Sequence, residues 1–262
     1  MPRSGSTWLG CIFDSSPNVA YRLQPLFSYT HKGKLNEVAS LSEINTFFKE
    51  IYLTKDPYVL QFQAKEKNLV PKFKKEKVTH IVYKEVRYHH IIENLLKEDK
   101  DIIVVGIIRS PFSVINSWLK APKEFKKELG WKVDEEWRYA PQKNGNRPEE
   151  FNGYEKWKEV AHLFLRIKNN YPNRFYLLEY EDLLKNNLQT VSSLFKFCNL
   201  EVTKQTLDFL LESTNIQEQD AYSVFKKKEN DMAWKKELPQ FIIDEIRNDD
   251  DFKKLNEIFQ WI

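Results

Sequence analysis

The chain has 262 residues, which is long enough for one α/β domain with a full hydrophobic core. Its 41 Lys and Arg residues nearly balance its 38 Asp and Glu residues, and the net charge of +3 argues against a nucleic-acid-binding protein with a concentrated basic surface. Two cysteines are too few for a disulfide framework and no apolar run has membrane-spanning length, so we expect a protein of a reducing, cytoplasmic compartment with no membrane span and no nucleic-acid partner.

The first element is a short loop of small and polar residues that leads into a helix. Residues 2–9 are Pro-Arg-Ser-Gly-Ser-Thr-Trp-Leu. Small residues let the backbone turn tightly, so that successive N–H groups converge on an anion, and a helix that starts near Ser6 adds its positive end. The Gly-Lys-Ser/Thr ending of a nucleoside-triphosphatase loop is absent. The sequence therefore predicts an anion-binding loop made by Arg3, Ser4, Gly5, Ser6, Thr7 and Trp8.

Three later segments have the apolar composition of buried strands, at 79–86, 102–108 and 175–180. Strands that alternate with helices favour an α/β fold with three layers, in which a parallel sheet is covered by helices on both faces. We expect one domain over 1–262. Amphipathic patterns predict its helices at 42–52, 88–97, 110–119, 154–171, 182–197 and 203–211.

A second anion site is predicted where the strand at 102–108 ends. Arg109 follows that strand, Ser110 can cap the next helix, and Pro111 suits its first turn. Ser117 lies two helical turns after Ser110, on the same face. Arg109 and Ser117 can therefore approach one ligand group.

A long segment at 121–153 lacks a clear period and is predicted to extend over the sheet edge. Loops of that length are usually functional or mobile. Aromatic side chains beside bases suit an acidic sugar, but the same aromatics could simply pin the segment to the core. The residues concerned are Trp131, Trp137, Tyr139, Tyr154, Lys132, Arg138, Lys143 and Arg147.

Residues 2–9 resemble the 5′-phosphosulfate loop of the sulfotransferase family, in its Arg-bearing form. Arg109, with Ser117 eight residues later, resembles the 3′-phosphate site of that family. The resemblance implies that the donor is 3′-phosphoadenosine-5′-phosphosulfate (PAPS), that Tyr180 lies near the adenine, and that Lys227, in a segment similar to the closing loop of the carbohydrate-directed branch, reaches the 3′-phosphate.

The resemblance also implies a P-loop-like sheet with a hydrophobic strand immediately before the loop. Met1 stands where that strand should end. We therefore expect the first strand to be missing at the N-terminus and the natural chain to extend upstream.

The family moves a sulfuryl group by in-line displacement, for which no metal is needed, and Arg3 would carry the charge of the leaving group. The carbohydrate and protein-tyrosine branches of the family have a glutamate where this chain has Gln24, which cannot act as a base. His31 is the expected replacement and Glu85 the alternative. Lys84, at the end of the strand at 79–86, is similar to a lysine that lines the reaction cleft.

The expected acceptor is a hydroxyl on a carbohydrate, and we favour a bacterial cell-surface polysaccharide. Two other functions stay open at this point. One is a nucleotide kinase, which ATP binding would reveal. The other is a degenerate, non-catalytic member of the fold, to which Gln24 and the missing strand give some weight.

Overall fold

A computed structural model of the chain describes residues 1–216, 218, 223–225 and 230–262. Its four strands are β1 (Val19–Leu23), β2 (His80–Lys84), β3 (Val104–Ile108) and β4 (Phe175–Glu179). β1 pairs with β2 and β3 pairs with β4, both in parallel. The three predicted strands are confirmed as β2, β3 and β4, whereas β1 was not predicted from the sequence.

Helices surround the strands, and all six predicted helices are present. The one expected at 182–197 is divided in two at Asn186, whose φ of −132° and ψ of 51° interrupt the helical backbone. The helices are α1 (Ser6–Ser15), α2 (Leu41–Leu53), α3 (Phe62–Glu66), α4 (Ile92–Glu98), α5 (Pro111–Leu119), α6 (Val133–Glu136), α7 (Pro141–Asn144), α8 (Tyr154–Asn170), α9 (Tyr180–Lys185), α10 (Asn187–Phe197), α11 (Lys204–Asn215), α12 (Trp234–Glu237), α13 (Gln240–Asn248) and α14 (Asp250–Phe259).

Both faces of β3 are covered, as expected for a parallel strand in a three-layer α/β fold. Ile108 packs in a core cluster with residues of α5 and α8, whereas its neighbour Ile107 packs in a second cluster with residues of α1 and α10. Successive side chains of a strand point to opposite faces. The predicted fold class is thus confirmed, although the sheet is present as two pairs of strands.

The two pairs of strands do not form one continuous sheet, because no ladder of hydrogen bonds joins β2 to β3. A cavity of about 600 Å³ lies between them, lined by apolar side chains of both strands and by Met1. In the described ranges no strand occupies this gap. The backbone edges of β2 and β3 that border it therefore lack a strand partner.

The segment at 121–153 is attached to the core through Trp137, which packs against Tyr154 at the start of α8. Trp137 and Tyr154 are 3% and 0% exposed, and their rings stack at 5.8 Å between centroids. Side chains of this size stabilise a fold by roughly 1.5–3 kcal/mol each when they are fully buried. Tyr139 is different, because it is 63% exposed. No helix among the described residues combines the length and the apolar character needed to cross a membrane.

Candidate functional site

The loop at residues 2–9 turns through two residues with left-handed backbones. Arg3 has a φ of 61° and Gly5 a φ of 87°. A Cβ atom on Gly5 would lie 2.5 Å from the ring of Tyr180, so only glycine fits there. α1 then begins at Ser6, where its first N–H groups have no partner within the helix. The predicted helix start is confirmed, and its positive end faces the turn of the loop.

The two predicted anion sites are joined by direct hydrogen bonds. Nε of Arg3 donates to Oγ of Ser117 at 3.1 Å. Nη1 of Arg109 donates to the backbone oxygen of Arg3 at 2.6 Å. The loop before α1 and the loop before α5 therefore form one continuous cationic site.

Arg109 is hydrogen-bonded to the carboxylate of Asp231, a contact that was not predicted from the sequence. Its Nε and Nη2 donate to the two carboxylate oxygens of Asp231 at 2.7 and 2.6 Å. Its guanidinium also lies 4.7 Å above the ring centroid of Tyr180. Burial lowers the pKa of Arg109, but the hydrogen bonds and charge of Asp231 outweigh it and raise the pKa, so the guanidinium is charged.

Lys84, at the end of β2, adds a third cation. Its Nζ donates to Oγ1 of Thr7 at 3.1 Å. Burial, the largest effect, lowers the pKa of Lys84 to about 8. The ammonium group is therefore protonated in most molecules at neutral pH, and it faces the start of α1.

Two aromatic rings lie beside the loop. Trp8 and Tyr180 meet edge to face with 6.3 Å between ring centroids, and Nε1 of Trp8 donates to Oγ of Ser213 at 3.0 Å. Tyr180 is 8% exposed. The rings thus flank the anion site, where a nucleobase or sugar would lie if phosphates occupy it.

Glu85, one of the two candidate bases, directly follows Lys84 in the chain. The backbone N–H of Leu26 donates to its Oε1 at 3.0 Å, whereas its Oε2 is buried and has no hydrogen-bond partner in the described chain. Burial raises the pKa of Glu85 to about 8. Next to it, Nη1 of Arg87 donates to Oε1 of Gln24 at 3.3 Å.

His31, the other candidate base, contacts a different set of residues from Glu85 and Lys84. It is 3% exposed, its Nε2 is 3.0 Å from Oγ1 of Thr54, and its ring meets that of Phe47 edge to face. Burial and then Lys34 lower its pKa. Its contacts with the described chain do not include residues 2–9 or Arg109. Lys227 lies outside the described residues.

The site can bind a ligand with two separated anionic groups. Arg3, Lys84, Arg109 and the start of α1 supply positive potential over both loops. In the described ranges no three His, Cys, Asp or Glu side chains form a metal-binding group.

The family model of the sulfotransferase domain matches residues 1–257. The chain belongs to the sulfotransferase family. The predicted family and enzyme class are therefore confirmed. Among curated protein sequences, none is significantly similar to the chain.

Two solved structures share the sulfotransferase fold. The sulfotransferase domain from the curacin biosynthetic pathway has a TM-score of 0.51 and 15% identity, over 100% of this chain and 95% of that one. Mouse sulfotransferase SULT7A1, solved as a complex with PAP, has a TM-score of 0.50 and 14% identity, over 100% of this chain and 86% of that one. At such identities the likeness concerns the fold alone.

Proposed function

We propose that this sulfotransferase transfers a sulfuryl group from PAPS to an acceptor hydroxyl. The 5′-phosphosulfate would lie in the loop of Arg3 to Trp8, and the 3′-phosphate would bind Arg109 and Ser117. The observation that carries this proposal is the pair of bonds that link Arg3 to Ser117 and Arg109 to Arg3. These bonds hold the two loops side by side, and this supports binding of a nucleotide with phosphates on two ribose positions.

In the proposed reaction the acceptor oxygen forms a bond to sulfur while the bond from sulfur to the phosphate oxygen breaks. The leaving phosphate gains negative charge as it departs. Arg3, Lys84 and the N–H groups at the start of α1 stabilise that charge, since they are fixed before the reaction begins. Each charge-assisted hydrogen bond of this kind contributes about 1.5–3 kcal/mol.

We assign the general base to Glu85, with His31 as the alternative. Glu85 is adjacent in the chain to Lys84, which touches Thr7 of the loop. Its Oε2 has no partner in the described chain and can accept the proton of an acceptor hydroxyl. His31 would need another side chain or a water molecule to relay a proton, because its contacts lie around Thr54 and Phe47.

We place the acceptor beside the segment at 121–153 and propose an acidic carbohydrate, such as a bacterial cell-surface polysaccharide modified in the cytoplasm. One contact supports this choice: Tyr139 is exposed, with the guanidinium of Arg138 5.7 Å from its ring. Lys143 adds less to it, because it is already paired with Glu124 at 2.8 Å. Because Trp137 and Tyr154 are buried in the core, the aromatic surface left for a sugar is smaller than the sequence predicts.

The experiment for this function is transfer of radiolabelled sulfate from PAPS to a panel of acidic and neutral polysaccharides. Labelled product with at least one acceptor, and none from γ-labelled ATP, supports the proposal. Phosphate transfer from ATP would favour a kinase instead. Tight binding of PAPS without transfer to any acceptor would favour a non-catalytic member of the family.

A further inference from the structure

Arg109 is paired with a carboxylate of the protein itself, that of Asp231. The side edge of its guanidinium, formed by Nε and Nη2, donates two parallel hydrogen bonds to the carboxylate of Asp231. A phosphate group binds arginine in the same bidentate geometry. Asp231 therefore occupies the edge that a phosphate ligand would use.

The rest of this guanidinium is partly engaged. Nη1 donates to the backbone oxygen of Arg3, and the centroid of the Tyr180 ring lies 4.7 Å from the guanidinium carbon. Nη1 and Nη2 each carry a second N–H, because a guanidinium has five donors. A phosphate that binds Arg109 side on, through Nε and Nη2, must displace Asp231, because the two anions cannot share that edge.

Asp231 is held in place by the segment that contains it. Oγ of Ser113 donates to the backbone oxygen of Asp231 at 2.9 Å, and the ring of Trp234 stacks on Phe112 with 4.4 Å between centroids. Asp231 itself is 6% exposed. The segment thus lies along α5, which is the helix that carries Ser117, and it directs the carboxylate at Arg109.

We propose that Asp231 is an internal competitor of the 3′-phosphate. This inference rests on the proposed function. Before the donor binds, the carboxylate pairs with a guanidinium that would otherwise be a buried, unpaired charge, which is strongly unfavourable. When the donor binds, the 3′-phosphate replaces the carboxylate at Arg109. When the product leaves, the carboxylate returns, so that the site releases adenosine 3′,5′-bisphosphate (PAP) without exposing an unpaired Arg109.

The test is titration calorimetry with PAP and AMP on the wild type, Asp231→Asn and the control Asp208→Asn. An asparagine side chain keeps the shape of the aspartate and can still accept one hydrogen bond, but it removes the competing charge. We expect Asp231→Asn to bind PAP about tenfold more tightly or better, and AMP within about twofold of the wild type, because AMP has no 3′-phosphate. Asp208 lies on the exposed side of α11, and its variant should match the wild type.

A second variant covers the case in which Asp231→Asn does not fold. Ser113→Ala removes the hydrogen bond to the backbone of Asp231 and leaves both charges in place. It should bind PAP several-fold more tightly. Unchanged or weaker PAP binding in the folded variants would overturn the inference, because Asp231 would then orient Arg109 for the phosphate. A wild type that binds PAP no better than AMP would instead contradict the proposed function, and this inference with it.

Discussion

Arg3 and Arg109 are 106 residues apart in the sequence, and Nη1 of Arg109 donates a hydrogen bond of 2.6 Å to the backbone oxygen of Arg3. This bond joins the loop before α1 to the loop before α5. Because each loop carries its own cation, their junction fixes the spacing between the two anion-binding positions. We propose that this spacing suits a nucleotide with phosphates on the 3′ and 5′ positions of its ribose.

Replacement of Gly5 by alanine should damage the loop more than a comparable change elsewhere. Gly5→Ala puts a methyl group 2.5 Å from the ring of Tyr180 and forces a φ of 87° on a residue with a side chain. We expect a loss of about 1–3 kcal/mol in the free energy of unfolding and weaker PAP binding. Thermal unfolding and calorimetry measure the two effects.

The matched control is Gly33→Ala. Gly33 has a φ of 72°, but nothing lies within 4 Å of its added Cβ. This variant should lose about 1 kcal/mol from the backbone alone and keep its PAP affinity. Equal PAP binding by the two variants would mean that the contact of Gly5 with Tyr180 does not shape the site.

The pH dependence of turnover should identify the base. With a pKa near 8, Glu85 becomes a carboxylate only as the pH rises, so kcat should increase with pH up to about 8. Above that pH, loss of the Lys84 charge should lower kcat again. Glu85→Gln should lower kcat by about a hundredfold or more and remove this rise. His31→Asn serves as the comparison, because burial lowers the pKa of His31 below 6.5. A large loss in His31→Asn, together with a wild-type rise centred below pH 6.5, would assign the base to His31.

Lys84 should contribute to donor binding only while it is protonated. Its pKa near 8 means that the charge is present below that pH and is lost as the pH rises through it. We expect PAP affinity to fall by about tenfold between pH 7 and pH 9, and Lys84→Met to bind weakly at both. Lys97→Met, at an exposed position, is the control. A wild-type affinity that is flat over this range would remove Lys84 from the phosphate contacts.

An apolar strand should stabilise the fold if it fills the cavity between β2 and β3. The edges that border the cavity lack strand partners, and unpaired buried backbone groups cost about 1–3 kcal/mol each. We expect a variant extended before Met1 by five β-branched residues to have a higher Tm than one extended by five Gly and Ser residues. Equal Tm values would show that the cavity does not accept a strand.

The parts of the site that depend on local sequence were predictable. Residues 2–9 indicate a tight turn and a helix start by themselves, and Arg109 is placed by the apolar strand before it and the Ser-Pro after it. The residues that contact the loop and Arg109 from distant parts of the chain could not be predicted in this way. Asp231 is 122 residues from Arg109, and no local pattern links a single aspartate to a distant arginine.

Two other features were not determined by local sequence. β1 is only five residues long and contains the charged residue Arg22, so it lacks the continuous apolar run of a buried strand. Trp137 and Tyr154 are aromatics beside basic residues, a pattern that a sugar site and a core contact share, and only their burial separates the two. Local sequence can therefore predict where a loop or helix begins, but it does not predict what packs against it.

The affinity of PAP relative to AMP, measured by calorimetry on the wild type and on Arg109→Met, tests directly whether Arg109 binds the 3′-phosphate. In the wild type PAP should bind about ten- to a hundredfold more tightly than AMP, since a second anion site adds about 1.5–3 kcal/mol. In Arg109→Met the two nucleotides should bind with nearly equal affinity, while Arg3 and the start of α1 still hold the 5′-phosphate. Equal affinity for PAP and AMP in the wild type would show that Arg109 and Ser117 do not bind a 3′-phosphate.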